Sequence, residues 1–407
     1  MLLWGGIKTG FRNYKEIKAM TRENIILNFF MSLQKHYNYS IIHHIEDIFE
    51  VTNDIDLVVD CDKKELHTYI ANYCLANKLY FIRHTIDLGA VRYNLLHFNE
   101  NEIVKVELDI TYSNNNILGI DIQSVLKKRQ SVSITDKSLN KLNPEDEYLI
   151  YLRKKAFKKS GIDIHFNYFQ TLLPQLKKEE INKQYLKQFR YFNSLSFRFK
   201  FYIQKALLLY YRILEKPCKT ICFLGPDGSG KTTIIEGVRT NNPYVNFQYY
   251  HLKPKKKKTE SNQVETNPHK KNNYSSVLSI LKLVYFLFEY NFNWIKNIIP
   301  KKITPVLIVF DRYFDDIIAD PKRYRYGAPE FVVRVFRKFI PSPDTTFVLD
   351  APAEVVLSRK KEVSQISLEA QLEKYRALGN RKNYFIIKVN RPINEIVQDV
   401  IKIIIKQ

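Results

Sequence analysis

The sequence predicts an α/β protein in two unlike parts: a three-layer α/β/α parallel sheet in the C-terminal half, preceded by a smaller α+β domain. Three observations carry this. Short, largely apolar runs at residues 220–224, 306–310, 346–349 and 384–389 alternate with helix-compatible stretches, as in a parallel sheet buried on both faces. In the N-terminal half, residues 53–60 and 103–111 instead read as amphipathic strands with acids at alternate positions. The charge also divides the chain. Residues 1–150 carry 17 basic and 20 acidic side chains, residues 151–220 carry 16 and 4, and residues 221–407 carry 31 and 18. We therefore expect domains at 1–165 and 217–407, joined by a basic, aromatic helical connector at 166–216.

Composition excludes several classes. With 45% hydrophobic and 14% aromatic residues, the chain can bury proper cores, so wholesale disorder is excluded. Twelve glycines in 407 residues rule out collagen-like and Gly-rich repeats. Four cysteines without metal spacing read as packing residues, not as a disulfide scaffold or zinc site. The net charge of +22 first suggests nucleic acid. The slightly acidic N-terminal half argues against a backbone-gripping domain there, so no specific nucleic-acid partner is expected. No run reaches the roughly 20 apolar residues of a spanning helix, and the first residues lack a signal-peptide core, so a cytoplasmic protein is expected.

The chemistry begins after the first C-terminal strand, at Gly225-Pro226-Asp227-Gly228-Ser229-Gly230-Lys231-Thr232-Thr233. This is G-x-x-x-x-G-K-[ST] between a strand and a helix, a P-loop. Glycines let successive backbone N–H groups converge on phosphate oxygens, and the helix N-terminus adds its dipole. Lys231 is expected to neutralise the β/γ-phosphates, and the Thr232 hydroxyl to ligate Mg²⁺. Asp227, inside the loop, must aim away from the polyphosphate. It faces either an acceptor hydroxyl or a metal, or simply caps the helix.

The run at 306–310 ends in Asp311-Arg312, where open α/β sheets bind ligands. Asp311 is expected to hold Mg²⁺ or orient the acceptor, and Arg312 to clamp a phosphoryl group. The third run leads through Asp350-Ala351-Pro352 into a helix containing Arg359, Lys360 and Lys361, which read either as a lid over the phosphates or as a solvated face.

These residues resemble thymidylate kinase over about 217–407: the Gly225–Thr233 loop, Asp311-Arg312-Tyr313, the segment from Leu349 to Glu354, and Arg359. The resemblance implies a P-loop NTPase fold and transfer of the γ-phosphoryl of ATP to an acceptor, dTMP in that family. Lys231 and Thr232 would bind ATP and Mg²⁺, Asp227 would face the acceptor sugar, Asp311 and Arg312 would flank the phosphoryl group, and Arg359 would belong to the lid. The family's Arg-Glu-Pro-Gly segment is replaced by Tyr249-Tyr250-His251-Leu252-Lys253-Pro254 and a lysine run. Residues 311–327, with Lys322, Arg323 and Arg325, are similar to a subgroup associated with bacterial surface polysaccharides, which implies a sugar or glycan acceptor as the alternative. A protein that binds ATP without transferring it is the third reading.

In the N-terminal half, Asp54 and Asp56 share one strand face, and Glu107 and Asp109 share another. Three convergent carboxylates on paired strands can hold two Mg²⁺ ions. The arrangement resembles the nucleotidyltransferase fold over about 24–160, which implies Asp54, Asp56 and Asp109 as metal ligands. The bland alternative is a solvated sheet face. In the bridge, residues 185–212 interleave cations with aromatics. They either contact an anionic membrane peripherally, as part of a basic stretch at 151–216, or form a helical connector whose aromatics pack between the domains.

Overall fold

The computed structural model describes residues 20–42, 46–50, 54–100, 102–134, 136–160, 166–253, 272–359 and 364–406. The lysine run from Lys255 to Lys258, His43, His44 and Lys360 to Glu362 lie outside the described residues.

The N-terminal part runs α1 (Arg22–Leu33), β1 (Tyr39–Ile41), β2 (Ile55–Val59), α2 (Lys63–Ala76), β3 (Tyr80–Thr85), β4 (Ala90–Phe98), β5 (Ile103–Thr111), α3 (Ile122–Lys127), β6 (Gln130–Ile134), β7 (Lys137–Lys141) and α4 (Pro144–Lys158). Its strands form one mixed sheet in the order β3-β4-β5-β2-β1-β7-β6. Strand β5 alternates buried and half-buried residues, so Val104, Val106, Leu108 and Ile110 enter the core under α1 and α2. Its other face carries Glu107 and Asp109. A capping box between Asp62 and Glu65 fixes the start of α2.

Three helices follow: α5 (Phe166–Leu172), α6 (Lys178–Asn193) and α7 (Leu195–Glu215). Their inner aromatics pack on α4. Phe169 and Ile181 join Tyr148 and Leu152, while Phe192 and Phe197 join Ala156. This differs from aromatics packed between the two sheets.

The C-terminal part comprises β8 (Lys219–Leu224), α8 (Lys231–Thr240), β9 (Asn246–His251), α9 (Ser276–Asn297), β10 (Val306–Asp311), α10 (Asp316–Ala319), α11 (Glu330–Arg337), β11 (Thr345–Asp350), α12 (Ala353–Arg359), α13 (Gln365–Leu378), β12 (Tyr384–Lys388) and α14 (Ile393–Lys406). The sheet is parallel, in the order β12-β11-β8-β10-β9. Successive residues of β8 serve opposite layers. Cys222 and Leu224 pack towards α9, while Ile221 and Phe223 pack towards α8 and α14. The inner strands β8, β10 and β11 are therefore covered on both faces, which is why they read as largely apolar runs.

Strand order reverses at β8. From β8 the chain goes first to β9 at one edge and returns to β10 between them, then builds through β11 and β12 on the other side. The crevice at the C-terminal end of β8 is the place where such sheets bind ligands. The two parts meet along β4 and the loop before β9. Asn94 Nδ2 donates to Pro243 O at 2.5 Å, and Gln398 Nε2 on α14 donates to Asn99 O at 2.5 Å.

Candidate functional site

The loop after β8 turns in backbone conformations that L side chains rarely adopt. Gly225 has φ 154° and Gly230, which caps α8, has φ 87°. A Cβ at Gly225 would sit 2.9 Å from Ser229 Oγ, so the sharp turn requires glycine there. The loop forms the floor of a cleft of about 570 Å³ at the strand-order reversal.

Lys231 is buried in the first turn of α8 and donates to Gly225 O and Pro226 O, both at 2.8 Å. Burial and the nearby Arg312 lower its pKa to about 7. Thr232 and Thr233 follow, exposed on the cleft wall.

Asp227 is held from two sides. Its carboxylate accepts from Arg312 Nη2 and, at 2.6 Å, from Arg323 Nη1. Burial opposes its ionisation, but Arg312, Arg323 and Lys231 outweigh burial and hold its pKa well below the usual carboxylate range. Asp311 ends β10 beside it. One of its oxygens accepts from Tyr249 OH at 3.0 Å and lies 3.5 Å from His251 Nδ1. The other, Oδ1, is buried without a hydrogen-bond partner. Here too burial raises the pKa, and His251, Lys231 and Tyr249 bring the net shift downwards, so the group is ionised at neutral pH. An ionised oxygen left unpaired in a polar cleft suits a cation or an acceptor hydroxyl.

Arg312 differs from the free clamp expected of it. It is 2% exposed, in a left-handed conformation with φ 70°, and its Nη1 donates to both oxygens of the fully buried Asp316 at 2.9 and 2.7 Å. Tyr324 and Tyr375 complete the shell of Asp316 at 2.9 and 2.5 Å. Arg312 touches the cleft but is committed to Asp316 and Asp227. Arg359 is exposed on the rim, with Nη1 3.5 Å from Gly228 O. Of the three basic residues at 322–325, only Arg323 lines the cleft. Arg325 stacks on Tyr274 at 4.1 Å, and Lys322 points to a different hollow.

The sequence reading assigned no role to His251 or Arg391, which also line the cleft. Each sits at or just beyond the C-terminal end of a parallel strand, β9 or β12.

The N-terminal acids also converge. Parallel pairing sets Asp56 opposite Asp109, and antiparallel pairing sets Arg92 opposite Asp109. Arg92 donates to Asp109 through Nε at 2.5 Å and Nη2 at 2.6 Å, and to Asp54 Oδ2 at 2.7 Å. Lys154 on α4 holds Asp56 Oδ2 at 2.8 Å. Among the described residues no three His, Cys, Asp or Glu side chains are arranged to hold a metal ion. Asp54, Asp56 and Asp109, the expected ligands of a metal pair, lie together here with Arg92 and Lys154 as their cations. Those residues do not fit Mg²⁺ as they stand, because a guanidinium already lies between the carboxylates.

The thymidylate kinase family model matches residues 223–400. The chain is 29% identical over 203 residues to the probable thymidylate kinase 1 of Saccharolobus solfataricus, spanning 46% of this chain and 97% of that protein. It is 32% identical over 107 residues to the probable thymidylate kinase of Sulfolobus acidocaldarius, spanning 24% of this chain and 54% of that protein. Among solved structures, thymidylate kinase from Ehrlichia chaffeensis aligns with a TM-score of 0.31 at 19% identity, over 46% of this chain and 97% of that one. The family match starts in β8 and ends in α14, so it encloses the whole cleft. The C-terminal half of this chain is thymidylate kinase-like, and the protein is a kinase.

Proposed function

We propose that the protein is an ATP- and Mg²⁺-dependent nucleotide kinase that moves the γ-phosphoryl of ATP onto a nucleoside monophosphate such as dTMP. The observation that carries this reading is the pairing of Lys231 in the loop floor with the unpartnered, ionised Asp311 Oδ1 across one cleft. The P-loop amides would cradle the β- and γ-phosphates. Lys231 would leave its carbonyl partners for the polyphosphate. An acceptor phosphate oxygen bonds to the γ-phosphorus as the β–γ bridging P–O bond breaks, and ADP leaves. Thr232 and Asp311 would hold Mg²⁺, which supplies positive charge to the phosphates. Asp227, fixed by Arg312 and Arg323, would accept from an acceptor-sugar hydroxyl. Arg359 would close from the rim. Catalysis in such a site is positioning and charge neutralisation.

The test is ADP release by purified protein with dTMP, other monophosphates and phosphosugars as acceptors. Asp311→Asn keeps the shape and removes the charge. We expect it to lower kcat about 100-fold or more, with thermal stability kept. Turnover that ignores every acceptor, or that is unchanged in Asp311→Asn, overturns the reading. Preference for a phosphosugar moves the acceptor and leaves the phosphotransfer standing.

A pH dependence follows from Lys231. Its pKa is about 7 in the free cleft. The polyphosphate favours the ammonium form and raises that pKa, so binding takes up a proton above about pH 7. Apparent ATP affinity should weaken as pH rises from 7 towards 9, and calorimetry in buffers of different ionisation enthalpy should report the proton. A pH-independent Kd and no proton uptake contradict it.

A further inference from the structure

The least used feature of the kinase reading is α7. It has 21 residues, of which only Phe197 is buried. Its inner side is fastened to the N-terminal sheet. Glu215 accepts from Arg83 Nη2 at 3.2 Å and Thr85 Oγ1 at 2.7 Å, and Arg212 donates to Thr85 O at 3.1 Å. Gln204 Nε2 reaches Asn115 O at 3.0 Å. The helix is therefore locked in orientation, and its outer side is preformed.

That outer side is apolar. Leu195, Phe199, Tyr202, Ala206, Tyr210 and Ile213 recur at spacings of three and four, one stripe about 30 Å long. Leu195 is 83% exposed, and Ile213 still 54%. Exposed cations border the stripe, Arg198 and Lys205 along one edge and Lys200 along the other. Over residues 195–216 there are five basic residues and one acid, Glu215, which is already engaged inwards. Apolar exposure of this extent marks an interaction surface.

We propose that α7 lies in the interface of an anionic lipid bilayer, with its stripe among the acyl chains and its flanking cations on lipid phosphates. Charge complementarity chooses this occupant over a second copy of the chain, because self-pairing would set Arg198, Lys200 and Lys205 against like charges with no free acid between them. A helix carrying these cations lies in the plane of the bilayer. No helix among the described residues is long and apolar enough to cross a membrane. The tyrosines suit the headgroup level, where one ring edge is wet.

The full-length chain is mixed with vesicles of phosphatidylcholine alone or with phosphatidylglycerol in about equal parts, and sedimented. We expect binding to the anionic vesicles only, weakened in about 0.5 M salt. Phe199→Ser/Ile213→Ser should reduce the bound fraction about tenfold or more. Arg198→Glu/Lys205→Glu should do the same, and both pairs should retain kinase activity and circular dichroism. Equal binding to neutral vesicles, or no response to either pair, overturns the proposal. So does a concentration-dependent dimer that Phe199→Ser/Ile213→Ser dissolves without any vesicle binding by the parent chain.

Discussion

Lys231→Met should abolish useful transfer, lowering kcat/KM for ATP about 10³-fold or more. The reasoning starts from burial. Lys231 sits in the floor of the cleft, where its ammonium donates to Gly225 O and Pro226 O and, at 3.5 Å, to Ser229 Oγ. Those carbonyls can be exchanged for phosphate oxygens at little net cost, so the side chain can swing to the ligand. Methionine keeps the apolar stem and removes the charge, so α8 should stay packed through Ile234, Ile235 and Val238. The melting temperature should shift by a few degrees at most, because Lys231 is itself destabilised by burial. Both quantities are measured on one preparation, by coupled ADP release and by thermal unfolding. Retention of a tenth of the parent activity would contradict the assignment. If the parent binds ATP tightly without turnover and Lys231→Met only weakens that binding, a non-catalytic ATP-binding protein is favoured instead.

Much of the C-terminal half was legible because its signals are local. Four apolar runs mark four strands of the parallel sheet, and the glycines at 225, 228 and 230 stand beside Lys231 in sequence as they do in space. Strand β9 was not read as a strand. It edges the sheet, and its residues are mostly exposed or half-buried, so no apolar run marks it. His251 was missed with it. Arg391 was missed for a related reason, since only the strand order reveals that the end of β12 borders the same cleft as β8.

The N-terminal acids were found, but their partners were not. Arg92 faces Asp109 only because β4 and β5 pair in that register, and Lys154 reaches Asp56 from α4 across 98 positions. Both contacts depend on tertiary pairing that alternation along one strand cannot encode. The connector shows the same limit. Its helical character was readable, yet which face of α7 turns inwards was decided by Phe157 and Phe192 packing on Phe197.

The second large effect lies at Asp316, which no motif singled out as a site. Its side chain is inaccessible and accepts from Arg312, Tyr324 and Tyr375. Asp316→Asn keeps the volume but removes the fully buried one of the two carboxylates that compensate Arg312, and it turns an N–H towards existing donors. Breaking a buried ion pair on one side costs about 3–5 kcal/mol. For a domain of this size that lowers the melting temperature by roughly 10 °C. Activity should fall as well, since Arg312, left with Asp227 alone, is no longer held from behind at the angle at which it meets that carboxylate. The two consequences separate in Arg312→Met/Asp316→Leu, in which neither charge remains. Well-packed apolar replacements of buried pairs are often neutral in stability. This variant should therefore recover part of the lost melting temperature while transfer stays low, because Asp227 loses the Arg312 contact and is held by Arg323 without it. If the double variant regains activity together with stability, the Arg312–Asp316 pair serves the core alone and Asp227 is positioned without it.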